Sequence, residues 1–489
     1  MAGSNLTVLE RQDSRYQTWS NVEKIAFRFA FVFFILLIIP VQSEWYVRLF
    51  SAETFYNILS AISGTRLNFI HIPTESGRWG AASFASWGLA TLIALLVAAI
   101  WTILSRNSKR KEYNVLYYWL GVIVRYRIAL GLIAFGYIKF FPMQMPFPSI
   151  SNLNTEFGDY APFKLYWQIV GVSFRYESFL GFLEIAAGTL LFFRKTIVLG
   201  AIINAGVLFN IAHANLGYDG AVHVYASYFV LLSLFLLMQY FPNIWKLFIK
   251  RETVTPYYYR PDFSGKTKKY VHLGTKATII VLFIVVYGYF RYDRFYNQGI
   301  LKEPVVPGLS GAAGHYNISS FVLNGDTLPY SPHDSLRWHD AVFERYSTLV
   351  YKVKKDIDIA VGNGTPSVGD ILKDYELTGR AGGKTYLYYE IDSATHKLYL
   401  VDKNQKFSKE LRKRLDKENS IGLKELYGTS TGDSINILLW SYERPDKDRV
   451  VLSGKDVNKD SITVVLDRLD ESYLTGKEWY MENNKFTYN

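Results

Sequence analysis

The stretch SRNSKRKEYNVLYYWLGVIVRYRIALGLIAFGYIKFFP, residues 105–142, decides the fold. Arg106, Lys109, Arg110 and Lys111 stand ahead of an apolar run, Tyr113–Phe141, which ends at Pro142. A helix rises about 1.5 Å per residue, so a run of this length crosses a hydrocarbon layer of ~30 Å with some tilt. Proline cannot continue the helix, and Lys and Arg beside a span stay on the cytoplasmic side. The stretch therefore predicts a membrane helix that enters from the inside.

The same grammar repeats on both sides of it. Apolar runs at Ile25–Val41, Ala81–Leu104, Tyr113–Phe141, Ser178–Phe193, Ile197–Asn215, Ala221–Phe241 and Leu273–Phe290 predict seven spans. Basic clusters flank only alternate connections. Arg11, Arg15 and Lys24 precede the first run, and Arg194 and Lys195 follow the fourth. Lys246, Lys250, Arg251, Arg260, Lys266, Lys268 and Lys269 lie between the sixth and seventh. This alternation predicts a cytoplasmic N-terminus and places everything after Arg291 outside the membrane. No small-x-small cleavage site follows the first run, which reads as a span. Of the outside connections, Ser43–Gly80 holds an amphipathic stretch, Tyr46–Ile62, suited to lie along the outer leaflet. Pro142–Arg175 reads as a cap or a substrate gate.

The formal charge of +11 over 489 residues sits largely in membrane flanks, where anionic headgroups attract it, so nucleic acid is not an expected partner. There is no cysteine, which excludes disulfides, thiolate catalysis, thiolate-bound zinc and Cys-ligated iron–sulfur clusters within this chain.

After Arg291 the period changes from that of helices to two. Tyr316–Leu323, Thr348–Val353, Tyr386–Ile391, Lys397–Val401, Ile435–Tyr442, Val450–Leu452 and Ile462–Leu466 alternate or run β-branched and aromatic. Turn formers separate them, among them Asn324-Gly325-Asp326, Gly382-Gly383-Lys384 and Pro445-Asp446-Lys447. An antiparallel sandwich or small barrel follows, with Lys406–Glu418 as a short charged helix or loop. No catalytic triad, P-loop or metal-ligand spacing occurs in this part.

Ionisable groups inside spans cost several kcal/mol unless paired. Arg125 lies 14 residues past Lys111 and Glu184 lies 10 before Arg194, roughly 21 and 15 Å deep at 1.5 Å per residue. They are the expected intramembrane ion pair, either a structural pair that fixes helix register or part of a ligand or proton site. Lys139, Arg175, Glu177, His213, Asp219 and His223 gather towards the outer face as pocket candidates. His213 and His223 are also the residues that would hold a b-type haem if one were present.

The run Tyr118–Ser149, with Arg125 early in the helix and Gly136-x-x-Lys139 at its end, resembles the long DoxX-like bacterial membrane proteins. So do residues 157–167 (FGDYAPFKLYW) and 176–219, where Glu184, Arg194 and Asp219 match by position. HYNISSFVLNGDTLPYSPHDSLRW, residues 315–338, resembles the soluble C-terminal extension of those proteins, with Asn324-Gly325 and Arg337-Trp338 as anchors. The hairpin at Thr74–Gly80 reads TESGRWG where the family pattern carries a Gly-Ser-Gly-Asp run. The resemblance implies a four-helix core in residues 113–242, preceded by a two-span hairpin in 1–112. A basic cytoplasmic loop and the seventh span would occupy 243–299, and an extracytoplasmic β-rich domain 300–489. It also raises the expectation of a quinone- or lipid-like ligand, with an envelope protein docked on the C-terminal domain. Two enzyme alternatives stand beside this. One is a subunit of a quinone-dependent oxidoreductase that takes its redox centre from another chain, with His213 as proton acceptor. The other is a carboxylase-like enzyme with Lys139 as base.

Overall fold

The computed structural model describes residues 18–488 except 66–69, 71, 73–80, 255–258, 260, 262, 264, 357–358, 360, 363, 367, 406, 417–421, 428–434, 472, 474–478 and 483–484. Arg11, Arg15, Arg260 and the whole Thr74–Gly80 hairpin lie outside the described residues.

Among the described residues, four helices are long and apolar enough to cross a membrane: Ala82–Leu104, Asn114–Phe140, Arg194–Gly217 and Lys266–Tyr296. Two bent pairs, Asn21–Ile38 with Ser43–Phe50 (51°) and His223–Met238 with Phe241–Phe248 (74°), raise the number to six if each is one span. The chain is thus a multi-pass membrane protein with four to six apolar helices. The fourth run expected from sequence falls in the Phe174–Leu191 helix, which is not in this set because it carries Arg175, Glu177 and Glu184. The amphipathic stretch becomes two short helices, Ser43–Phe50 and Phe55–Ser63.

The chain forms two compact units, and their limits cut across the boundaries read from sequence. One comprises Met1–Phe141 and Ser178–Arg291, the other Pro142–Glu177 and Tyr292–Asn489. In the helical unit, Ser20 and Glu23 form a capping box that starts the first helix, satisfying end N–H groups. Polar side chains then tie helix to helix. Arg28 donates to the Tyr113 hydroxyl (2.9 Å) and to Thr102 (2.8 Å), and Asn204 to Ser233 (2.5 Å). Small residues let backbones approach: a Cβ added to Gly136 would lie 2.8 Å from the Gly181 carbonyl. The last apolar helix carries a π-helical stretch, Val281–Val286, and the Tyr137 hydroxyl donates to its Ile284 carbonyl (2.6 Å). Such bulges release carbonyls from the regular ladder.

In the second unit the main sheet holds β1 Gly314–Leu323, β2 Asp326–Thr327, β3 Asp340–Phe343, β4 Thr348–Lys352, β5 Lys384–Asp392, β6 Lys397–Asp402, β7 Ile437–Glu443, β8 Arg449–Lys455 and β9 Ser461–Arg468, and a separate hairpin pairs Trp479–Glu482 with Lys485–Tyr488. All pair antiparallel, and β9 returns to β1 (Tyr316↔Arg468 to Leu323↔Ile462) across a bulge at Ile318/Ser320. With β2 as a short appendage, this closes an eight-stranded up-and-down barrel, which resolves the choice between sandwich and barrel. Asn324 (φ 53°) and Gly325 (φ 94°) supply the two positive φ values that a tight hairpin between β1 and β2 requires.

Alternation fills the barrel. Tyr316, Ile318, Phe343, Leu349, Leu387, Tyr389, Leu400, Trp440, Leu452 and Val464 point inward and are buried. Trp338 stacks on Tyr351 (centroids 4.0 Å apart) and on Trp440 (5.6 Å). Its neighbour Arg337 donates to the carbonyls of Leu328, Trp338 and Ile318 at 3.1, 2.8 and 2.9 Å. A barrel of this size has an interior that side chains can fill completely. Outside it, Val342, Val350, Leu377 and Tyr386 pack with Ile150 of the 142–177 segment. Another patch, around Tyr388, Tyr399 and Val401, is covered by the Lys409–Leu415 helix through Leu411 and Leu415.

Candidate functional site

The 142–177 segment is built into the second unit by charge. Glu344, 2% exposed, accepts from the backbone N–H groups of Ile150 (2.9 Å) and Ser151 (2.8 Å), the start of a short helix. Lys384 donates to the carbonyls of Ser151 (3.0 Å) and Asn154 (2.7 Å), and Lys352 pairs with Glu156 (2.8 Å). Burial pushes the Glu344 carboxyl up and pulls Lys384 down to about 7, with Arg380 adding to the latter.

Between this segment and the outside of the barrel lies a cleft of about 1090 Å³, the size of a small-molecule site. Phe147, Pro148, Ile150, Leu153 and Val172 form an apolar wall. Facing it are Glu303, Glu344, Tyr346, Tyr375 and Glu376. At the rim, His315 hydrogen-bonds Glu471 (2.9 Å), and the Tyr473 hydroxyl donates to the same carboxylate (2.5 Å). Burial pushes the half-buried Glu303 carboxyl up to about 7, against the pull of Lys373 and Lys302. Burial likewise brings Lys302 down to about 8, although Glu177, Glu303 and Asp374 favour its charge. The Tyr346 phenol is held well above its ordinary value by burial, with Glu344 and Glu376 adding to it. Glu376 is bonded to Lys403, both side chains 1% exposed. Near neutral pH this cleft therefore offers the Tyr346 hydroxyl and a Glu303 carboxyl that is protonated in part, alongside an apolar wall. Among the described residues no group of three or more His, Asp or Glu is arranged to hold a metal ion.

The residues singled out in the sequence are distributed differently from the expected pocket. Glu184 is held by Lys139, whose Nζ lies 2.9 Å from both carboxylate oxygens, with both residues buried. The expected partner Arg125 instead has its guanidinium 5.3 Å from the Tyr126 ring centre. The reason is helix register: Gly136 abuts Gly181 and Ile185, and Gly188 abuts Ala129, so Glu184 faces the end of the Asn114–Phe140 helix where Lys139 sits. Glu177 belongs to the second unit and accepts from the N–H groups of Gln144 and Met145, both 3.1 Å. Arg175 is exposed. His213 is also exposed, bonded to the Phe209 carbonyl of its own helix (3.2 Å).

Asp219 and His223 do come together, in the turn between the Ile197–Gly217 and His223–Met238 helices. They are joined there by Ser83, whose Oγ lies 3.1 Å from His223 Nε2. The cleft carboxyls and Ser83 were not singled out in the sequence. Glu303, Glu344 and Glu376 lie in an ordinary polar stretch, and only the folded barrel brings them to one wall. Comparison of the chain with protein-family models, with curated proteins and with solved structures finds no match.

Proposed function

We propose that this is an inner-membrane protein that binds a quinone- or lipid-like molecule in the cleft of its second unit. A carbonyl-bearing, uncharged headgroup fits neutral donors such as protonated Glu303 and the Tyr346 hydroxyl, and a hydrocarbon or isoprenoid portion fits the wall of Phe147, Ile150 and Val172. The single observation that carries the reading is this pairing of an apolar wall with a carboxyl whose pKa is brought to about 7 inside a cavity of about 1090 Å³. The site thus moves from the pocket of Lys139, Arg175, Glu177, His213, Asp219 and His223 to the cleft. The helical unit is read as the DoxX-like core. Lys139 and Glu184, two positions that carry that resemblance, meet in one ion pair, which supports the assignment.

The topology belongs to the same proposal: cytoplasmic N-terminus, seven spans with Phe174–Leu191 as one of them, and the barrel outside, where an envelope protein docks on it. Protein purified in mild detergent is expected to retain a lipophilic species detectable by mass spectrometry. Glu303→Ala and Tyr346→Phe should release it while the barrel still melts cooperatively, and unchanged retention in both refutes the site. Protease added outside spheroplasts should degrade the chain beyond Arg291, and full protection refutes the topology.

A further inference from the structure

The turn that ends the Ile197–Gly217 helix is shaped by constraint. Asp219 (φ 54°) and Ala221 (φ 61°) both occupy the left-handed region although neither is glycine, a conformation that costs free energy and tends to persist at functional sites. Asn215, 5% exposed, braces the turn. Its carbonyl accepts from Gly220 N (2.9 Å) and its side-chain oxygen from Val222 N (3.4 Å). The outcome is that His223, 2% exposed, opens the next helix with its ring set against Phe84 (5.9 Å between centres). Its Nε2 lies 3.1 Å from Ser83 Oγ, and the Asp219 carboxylate stands within electrostatic reach of the ring.

We propose that Ser83, His223 and Asp219 form an acyl-transfer site at the membrane boundary that cleaves the carboxylic esters of glycerolipids. A hydroxyl within ~2.6–3.2 Å of an imidazole, with a carboxylate beside that imidazole, is the arrangement that turns serine into a nucleophile. Ser83 Oγ bonds to the ester carbonyl carbon as its proton passes to His223 Nε2, and the carbonyl π pair moves onto oxygen. Collapse breaks the carbon–alkoxy bond, and the proton on His223 leaves with the alcohol. Water then repeats the sequence, forming the second carbon–oxygen bond and releasing a free carboxylic acid and the original serine. No oxidant, metal or co-substrate beyond water enters the balance. Asp219 is a positioning residue. Its carboxylate lies within electrostatic reach of the ring and stabilises the charge that forms on it.

Two further features suit this chemistry. Ser83 lies in the Ala81–Phe84 turn that heads the Ala85–Leu104 helix, where backbone N–H groups lack intrahelical acceptors and carry partial positive charge suited to an oxyanion. All three residues stand at ends of apolar helices, beside exposed Leu216 and Tyr218. The site lies wholly in the helical unit and does not rest on the cleft proposal.

The test uses the full chain in nanodiscs. A fluorophosphonate probe should form an adduct mapped by mass spectrometry to Ser83. The adduct should be absent in Ser83→Ala and form about 100-fold more slowly or worse in His223→Gln. Vesicles of diacyl phosphatidylglycerol should release fatty acid with the wild type and not with Ser83→Ala. Asp219→Asn should lower kcat and leave KM unchanged. Because the chain has no cysteine, Ser83→Cys introduces its sole thiol. Iodoacetamide should alkylate that thiol at neutral pH about tenfold faster than in Ser83→Cys/His223→Gln. No Ser83 adduct in the wild type, equal alkylation rates in the two cysteine variants, or hydrolysis confined to soluble short-chain esters would each overturn the proposal.

Discussion

Glu344→Ala isolates the device that fixes residues 142–177 to the barrel. The carboxylate is 2% exposed and holds two backbone N–H groups, Ile150 at 2.9 Å and Ser151 at 2.8 Å. Hydrogen bonds to an ionised group are worth about 1.5–3 kcal/mol each. Water entering the vacated space would return part of that, so the net loss is about 3 kcal/mol. Lys384 continues to hold the same segment from the opposite side through Ser151 and Asn154, so the barrel should keep its fold and only the segment should loosen. A loss of about 3 kcal/mol raises the open population roughly 100-fold. Hydrogen exchange read by mass spectrometry on peptides covering 147–156 should accelerate by that factor, with β5 to β9 peptides unchanged. Adding Lys384→Met should accelerate exchange further, because Lys384 holds the same segment through Ser151 and Asn154. Wild-type exchange rates in Glu344→Ala would refute the assignment of Glu344 as the anchor. Uniform acceleration across the barrel would refute the claim that the effect is local.

Glu303 has its pKa raised from 4.5 to about 7, so folding favours its protonated form. Its stabilising contribution is present below pH 4.5 and lost as pH rises through 7, about 2 kcal/mol after allowance for partial exposure. Glu303→Gln should flatten the melting temperature of the second unit between pH 4.5 and 7, and an unchanged slope contradicts the shift. Lys302, lowered to about 8, works on the alkaline side: stability falls as pH drops from 10.5 towards 8, and Lys302→Met should remove that slope. Glu376→Ala strands buried Lys403 and should cost about 3–5 kcal/mol by chemical denaturation. The Glu376→Leu/Lys403→Met double variant should recover most of it, and a double variant as weak as the single rejects the pairing. Lys139→Ala should likewise destabilise the detergent-solubilised protein more than Lys139→Ala/Glu184→Ala does, as read by thermal aggregation.

How far the sequence carries depends on the range of the contacts involved. Period-two alternation was enough to locate β1 and β4 to β9, since a strand's buried face is written in its own residues. β3 was missed. It has only four residues, Asp340–Phe343, and is covered on both faces, Ala341 and Phe343 inward and Val342 against Ile150, so it shows no alternation. The docking of residues 142–177 left no local trace, because Glu344 meets Ile150 and Ser151 across 194 and 193 positions of chain. Charge depth misjudged the intramembrane pair for a related reason. Counting from basic flanks assumes that helices start where the flanks end, whereas glycine contacts set the real register between helices. Ser83 was overlooked for its ordinariness: a serine in an Ala-Ala-Ser-Phe turn acquires meaning only from His223, 140 positions away.

Closure of the barrel by β9 against β1 has a consequence for how the chain is made. β1 ends at Leu323 and its closing partner begins at Ser461, so about 140 residues separate the two edges that must meet. At a synthesis rate of ~5–20 residues per second, β1 waits roughly 7–28 s with an unpaired side. During that interval the nascent domain is an open sheet, able to recruit any strand that reaches it first. A ribosome that stalls, or a gene truncated before residue 461, would leave that sheet open for good.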